Sequence, residues 1–306
     1  MPKPEAVTFK QLRALSAVAS CGTMTAAAEM IGLTPPAVHT QLRQLEQHFG
    51  CKLLQRGRGG GTDLTLQGEA VLTAARKIEA ALTACAERVA AQNEGREGLV
   101  NLGVVSTGKY FAPALVARLR RAYPEIEVLL KVGNRDSVLA WLEDATVDMA
   151  IMGRPPRLPQ VVSTALGAHP HVLIAPPDHP LAGREELFAE DLVGETYIAR
   201  ERGSGTRVLM DRFLDRLGEE RPYPAIELSS NETIKQAVIA GLGLALISRH
   251  TVTDELREGR LVELPVRGLP IVRQWYMVHR NDLPMDAASR NIHDFISELD
   301  GTFLPS

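Results

Sequence analysis

Cysteine is scarce: the 306 residues hold three, Cys21, Cys51 and Cys85, odd in number and widely spaced. That excludes a disulfide-stapled scaffold and a CxxC metal site, and it fits a reducing compartment. No run of about 18 apolar residues occurs, so no transmembrane helix is expected. Residues 1–10 lack an apolar signal core, which argues against secretion and for a cytoplasmic location, with no membrane partner. Catalytic motifs are missing too. No G-x-S-x-G occurs, and Gly203-Ser204-Gly205 is too short for a nucleophile elbow. Gly103, Gly108 and Lys109 follow the spacing G-x-x-x-x-G-K. However, Tyr110 stands where a Mg²⁺-ligating Ser or Thr belongs, and Gly103 falls within an expected strand. His169 and His171 flank Pro170, a spacing that suits a turn better than a metal site. No catalytic residue, metal or cofactor is expected, and the chain is read as a binding protein rather than an enzyme.

What is present is an ordinary globular composition, 45% hydrophobic and 23% charged, in a chain long enough for two or three domains. The net charge of −3 hides an asymmetry: residues 1–68 carry seven basic and four acidic groups, so the head is at +3 and the remainder at −6. A basic head on an acidic body suits an anionic partner for the head.

The head reads as three short helices. Phe9, Leu12, Leu15, Val18 and Ala19 recur at helical spacing, and Cys21-Gly22 ends that helix. Thr23 or Thr25 caps a second helix over 26–31, which Gly32 closes. Thr34 before Pro35 and Pro36 starts a third, running to about His48. Val38, Leu42 and Leu45 face inward on it, opposite Ala37, His39, Thr40, Gln41, Arg43 and Gln44. A wing-like stretch over 52–66 carries Arg56, Arg58 and three consecutive glycines. This is the pattern of a winged helix-turn-helix whose third helix enters the major groove of double-stranded DNA. Thr34, Pro35, Pro36, His39, Thr40, Gln41 and Arg43 are the expected DNA contacts, with Arg56 and Arg58 on phosphates or in the minor groove. A small helical bundle with a polar outer face is the alternative.

Residues 66–92 form one long Ala-rich helix. Its stripe of Leu66, Ala70, Ala74, Ile78, Leu82, Cys85 and Val89 suits a seam between two copies, or packing on the chain's own body. A polar linker follows over 93–98. Strand and helix patterns then alternate to the end, as in an open α/β body of two lobes. Strands are expected over 100–105, 126–132, 148–152, 172–175, 196–199, 226–229, 244–248 and 272–279, and helices over 110–123, 137–143, 206–217, 233–240 and 287–299. Ligands of such bodies sit at strand carboxyl ends and helix N-termini. Those positions carry Ser106, Thr107, Gly108 and Lys109, then Asn134 and Arg135, then Arg154. In the second half they carry Arg202, Ser204 and Thr206, then Asn231 and Thr233. Hydroxyls, arginines and free backbone N–H groups converging on one cleft suit a phosphate or carboxylate ligand. Arg207, one residue into its helix, is expected to face solvent instead.

The stretch over 9–66 resembles the head of LysR-type transcriptional regulators, in "GTMTAAAEMIGLTPPAVHTQLRQLEQHFGCKLLQR" and the closing "LTLQGE". In the body, "VSTGKYFAP", "VGNRDSVLAWL", "MGRPP", "HPHVLIAPPDHPLA", "RERGSGTR", "SNETIKQAVIAGLGLALIS" and "GLPIVRQWYMVH" look like the CbbR branch of that family, regulators of RuBisCO and Calvin-cycle operons. The resemblance implies a winged helix-turn-helix over 1–65 and a linker and dimerisation helix with hinge over 66–97. It implies a periplasmic-binding-protein-like (type 2) effector domain over 98–306, with lobe I at about 98–167 and 271–306 and lobe II at about 168–270. It further implies a small effector, anionic and phosphorylated, a dimer or tetramer, and RNA polymerase as a further partner. A LysR-type regulator of another pathway and a stand-alone α/β ligand-binding protein are the alternatives. The chain departs from many members at Pro35, His39 and Thr40, where they carry Gln, Ser and Arg. All three cysteines precede residue 98, so the body has no cysteine pair of the kind peroxide-sensing members carry.

Overall fold

The computed structural model describes residues 3–57, 61–93, 98–216 and 223–305. It divides into two compact units, Met1–Glu87 and Arg88–Ser306. Arg58, Gly59, Gly60, linker residues 94–97 and Leu217 lie outside the described residues.

In the first unit, capping residues set the helix limits. Thr8 and Gln11 form a reciprocal capping box at the start of α1 (Phe9–Cys21), and Gly22 ends it at φ 70°. The Thr23 hydroxyl accepts from the Ala26 amide and opens α2 (Met24–Ile31), which Gly32 ends at φ 69°. Helix α3 (Pro35–Phe49) starts at Thr34 as expected, but the Thr34 hydroxyl makes no capping bond. Pro35 and Pro36 have no N–H to cap, so two of the usual orphan donors do not exist. Strands β1 (Leu54–Arg56) and β2 (Thr62–Leu64) pair antiparallel as the wing. Its base is held by Glu46 on α3, whose carboxylate accepts from the Leu53 amide at 3.0 Å and the Lys52 ammonium at 2.7 Å. Burial opposes ionisation there, yet Lys52 and the Leu53 and Leu54 amides hold the Glu46 carboxyl below its ordinary range.

Leu12, Leu15, Val18, Ala27, Val38, Leu42, Leu45 and Leu53 form the core of the head, and Val71, Leu72 and Ala75 complete it. Those last three belong to the first turns of the long helix α4 (Leu66–Asn93). Helix α4 can start so close to the wing because residue 68 is glycine. A Cβ there would lie 2.0 Å from the Leu53 carbonyl oxygen.

The second unit is built on β3 (Gly98–Val105), β4 (Ile126–Gly133), β5 (Met149–Met152), β6 (Val161–Ala175), β7 (Tyr197–Arg200), β8 (Ala225–Leu228), β9 (Ala245–Ser248), β10 (Val262–Glu263) and β11 (Ile271–Arg280). Its helices are α5 (Ala112–Ala122), α6 (Arg135–Glu143), α7 (Gly205–Arg216), α8 (Asn231–Ile239), α9 (Thr253–Arg257) and α10 (Ala287–Glu298). A mixed sheet runs β10-β6-β11-β5-β3-β4, with β9 also on β6, and β7 pairs with β8 in a second, parallel sheet. One core gathers Val100, Leu102, Val104, Leu115, Met149, Ile151 and Ile292 around Trp275 and Phe111, whose rings meet edge to face at 5.1 Å. A second gathers Leu173, Tyr197, Met210, Phe213 and Leu246. The long antiparallel pair β6 and β11 contributes to both, Trp275 to the first and Leu173 to the second.

One expectation is corrected here. The strand expected over 172–175 is the end of a strand of 15 residues, and His169-Pro170-His171 lies within it rather than in a turn. Pro170 sits opposite Val272 on β11, while β9 covers only 171–174 on the other side. The strand therefore has an open edge at the proline, where a missing N–H costs no ladder bond.

Candidate functional site

The carboxyl end of β3 runs into a short 3-10 turn, Ser106–Tyr110. Near it open the N-termini of α6 and α7, and between them lies a cavity of about 110 Å³. Of the expected ligand contacts, Ser106, Thr107, Arg135, Arg154, Ser204 and Thr206 line it. Arg212 on α7 and Arg273 on β11 add two guanidinium groups, and among the described residues no carboxylate lines the wall. Arg135 donates to the Arg154 carbonyl at 2.7 Å, which fixes its fork at the cavity. Burial, then the neighbouring Arg154, then Arg273 push the Arg135 pKa below its ordinary value, while Asp136 opposes. Four cationic side chains, two helix N-termini and buried hydroxyls on Thr107, Ser204 and Thr206 are groups whose chemistry suits an anion.

The remaining expected contacts are placed otherwise. Lys109 is ion-paired with Glu232, whose carboxylate also accepts from the Tyr110 hydroxyl at 2.6 Å. Asn134 caps α6, its side-chain oxygen accepting from the Ser137 amide at 2.9 Å. The Asn231 side-chain oxygen Oδ1 accepts from Arg200 at 2.6 Å, and the Thr233 hydroxyl pairs with Ser230 at 2.8 Å. Gly108 is buried inside the turn, and Arg202 is exposed off the cavity wall. Arg207 is ion-paired with Asp211 and Glu227.

Sequence reasoning missed Arg200, the buried organiser of this region. It is 3% exposed and grips Glu201 with two hydrogen bonds at 2.7 and 2.8 Å. It also donates to Asn231 and, at 3.1 Å, to the Ser106 hydroxyl. Burial raises the pKa of Glu201, but Arg200 outweighs it and holds the carboxyl below its ordinary range. A cationic residue closing a buried strand is the signal that could have found it. His169, His171, Arg212 and Arg273 were missed as well. Arg273 faces His169 across the β6–β11 ladder, a pairing of residues about a hundred positions apart that no local spacing reveals.

On the first unit, His39, Thr40 and Arg43 are exposed on α3, with Gln41 half-buried beside them. The Thr40 hydroxyl donates back to the Pro36 carbonyl at 2.9 Å, and Gln44 accepts from the buried Gln11 at 3.3 Å. That leaves His39, Gln41 and Arg43 as the longer side chains on this face without a protein hydrogen bond among the described residues. Thr34, Pro35 and Pro36 are exposed at its N-terminus, and Arg56 is exposed at the end of β1.

Helix α4 divides its faces. Val71, Leu72 and Ala75 are buried in the head, whereas Leu66, Ile78, Leu82 and Val89 are exposed, Ile78 at 43%. Ala70, Ala74 and Cys85 on the same stripe are exposed as well.

Comparison with known proteins places these features in a family. Residues 9–69 match the bacterial regulatory helix-turn-helix protein, lysR family, and residues 93–300 match the LysR substrate binding domain. The chain is 54% identical to the HTH-type transcriptional regulator CbbR of Cereibacter sphaeroides over 306 residues, covering 100% of this chain and 99% of that protein. It is 39% identical to the RuBisCO operon transcriptional regulator of Allochromatium vinosum over 290 residues, 95% of each. The regulatory domain of Synechocystis PCC6803 CcmR, solved in complex with 2-PG, is 32% identical, with a TM-score of 0.63 over 67% of this chain and 98% of that one.

Proposed function

The chain belongs to the LysR family of transcriptional regulators, and on that premise we propose that it binds promoter DNA of carbon-fixation (RuBisCO) operons under the control of an anionic, phosphorylated metabolite. The gene set is supported by the Allochromatium vinosum relative, which matches over 95% of this chain and whose name states the RuBisCO operon. The sensor reading is carried by one observation, the cavity with four guanidinium groups and no carboxylate on its described wall. The solved CcmR domain holds 2-PG, which supports the same class of ligand. The exposed apolar stripe of α4 supports assembly into a dimer, with a tetramer as the next step. No helix of the described residues is long and apolar enough to cross a membrane. A cytoplasmic location and contact with RNA polymerase fit a regulator of this kind.

Ser106 and Thr107 come from the end of β3, and Ser204 and Thr206 from the start of α7. A ligand held by both ends joins parts built on the two cores. It therefore binds one arrangement of the lobes better than another and shifts their populations. Calorimetric titration of 2-PG and of phosphorylated Calvin-cycle intermediates into the full chain tests the sensor. The wild type binds, and Arg154→Ala loses a charge-assisted bond of about 1.5–3 kcal/mol, a fall in affinity of roughly 10- to 150-fold. Equal affinities remove Arg154 from the site, and no binding to the wild type overturns the phosphate-sensor reading.

The DNA face has its own expected outcomes. Arg56→Ala weakens binding similarly on all sequences and makes the log–log salt slope shallower by about 1, as loss of a phosphate contact does. Gln41→Ala costs about 1–3 kcal/mol on the operator and changes base preference. Gel-shift titrations over operator variants and salt separate the two effects. Unchanged affinity in both variants contradicts the assigned groove contact.

A further inference from the structure

His169 is part of the cationic cavity, and its hydrogen bonding there is incomplete. It is 5% exposed, it lines the cavity, and neither Nδ1 nor Nε2 has a hydrogen-bond partner. Buried polar groups are nearly always satisfied, so two unpaired nitrogens on one buried ring call for a partner that the protein does not supply. The ring is fixed instead by stacking. Trp275 lies parallel to it at 3.9 Å and 13°, and His171 packs against it at 4.2 Å. Among the described residues, the charged or titratable groups that face it are cationic or neutral. Arg273 stands across from it on β11, His171 follows on β6, and His250 reaches it from the turn after β9 at 5.9 Å. Arg135, Arg154 and Arg212 are on the same cavity wall.

Resting on the reading of this cavity as the effector pocket, we infer that His169 is its proton-linked contact: the ring donates a hydrogen bond to an oxyanion of the ligand and takes up a proton from solvent as that anion arrives. An ionised oxygen only accepts, so a neutral imidazole satisfies it with one nitrogen and leaves the other bare. Burial first, and then the neighbouring His171, His250 and Arg273, disfavour a second positive charge there and hold the ring neutral, well below its ordinary pKa. An anion within a few ångströms reverses that balance, and the Trp275 face suits an imidazolium. Affinity then depends on pH. With one proton taken up, it rises by up to about tenfold for each unit of pH lost, between the midpoints of the empty and the loaded ring.

The test is calorimetry of 2-PG binding to the full chain from pH 7.5 to 5.5, in buffers of different ionisation enthalpy. A ligand phosphate itself titrates near pH ~6, so the readout is the difference between the wild type and His169→Gln, which keeps a donor and cannot titrate in this range. The wild type takes up more protons than His169→Gln, and its relative affinity climbs as pH falls. His169→Phe, which keeps the stack on Trp275 without a donor, retains its melting temperature at pH 7.5 and loses about tenfold or more in affinity. Identical proton uptake and pH profiles in wild type and His169→Gln overturn the proton link while leaving the pocket reading intact. Failure of 2-PG to bind the wild type at any pH, together with failure of inorganic sulfate to bind, overturns the oxyanion pocket and the inference with it.

Discussion

Acidifying the full-length chain from pH 7 to pH 5 lowers the melting temperature of its second unit by roughly 5–15 °C. The cause is a set of buried imidazoles that the fold holds neutral. Burial pushes His171 and His250 down to about 4, and burial with neighbouring cations pushes His169 well below its ordinary value. In the unfolded chain each titrates near ~6.5, so the unfolded state binds more protons as pH falls below that value. The stability these groups contribute is complete above pH ~6.5 and drains away as pH falls toward their folded values. His171 and His250 each account for about 1–2 kcal/mol between pH 7 and 5, and His169 acts in the same direction. Protonation of His250 at Nδ1 also breaks the hydrogen bond it accepts from the Trp275 indole at 3.1 Å. The carboxylates held low, Glu201 and Glu232, lose their contribution only below their ordinary range, so they do not enter this window. Both tryptophans, Trp141 and Trp275, belong to the second unit, so their fluorescence reports its unfolding alone. A melting temperature that stays constant from pH 7 to 5 contradicts the neutral buried cluster.

Replacing Ile78 with glutamate dissociates or aggregates the protein. Ile78 lies in the middle of the exposed stripe of α4, away from Val71, Leu72 and Ala75, which hold the head together. A carboxylate there costs little in the isolated chain, because the position is exposed to water. In a seam between two helices it is buried and unpaired on each partner, at roughly 3–5 kcal/mol apiece. Light scattering then shows a smaller particle or an aggregate, while circular dichroism at high dilution keeps its helical signal. An assembly of unchanged mass and stability contradicts the seam.

Much of the head was legible because its signals are local. Thr23, Gly22 and Gly32 mark helix ends through their own backbone chemistry. Thr34 with Pro35 and Pro36 marked the start of α3, although the prolines themselves left its hydroxyl little to cap. The α/β alternation of the body was legible in the same way. The cavity was legible only in part. Ser106, Thr107, Arg135, Arg154, Ser204 and Thr206 follow strand ends or precede helices, and the general rule for open sheets finds such residues. Lys109 and Asn231 occupy equally promising positions, but Glu232 and Arg200 take them as partners, and only the tertiary fold brings those partners near. His169 was misplaced because Pro170 beside it reads as a turn. Arg273 reaches the cavity through cross-strand register, which is a property of two strands and not of one.

The proposed function joins promoter recognition to an anion held in the cavity of the second unit. Fluorescence anisotropy of the full chain on a RuBisCO-operon promoter fragment and on a shuffled fragment, from 50 to 200 mM salt with and without 2-PG, tests both halves at once. The promoter fragment binds more tightly by at least about a thousandfold, with a log–log salt slope of about −0.9 per phosphate contact. Adding 2-PG shifts the promoter curve reproducibly, and Arg154→Ala needs roughly 10- to 150-fold more 2-PG for the same shift. Equal affinity for both fragments at every salt concentration, with curves that 2-PG leaves unmoved, contradicts the proposed function.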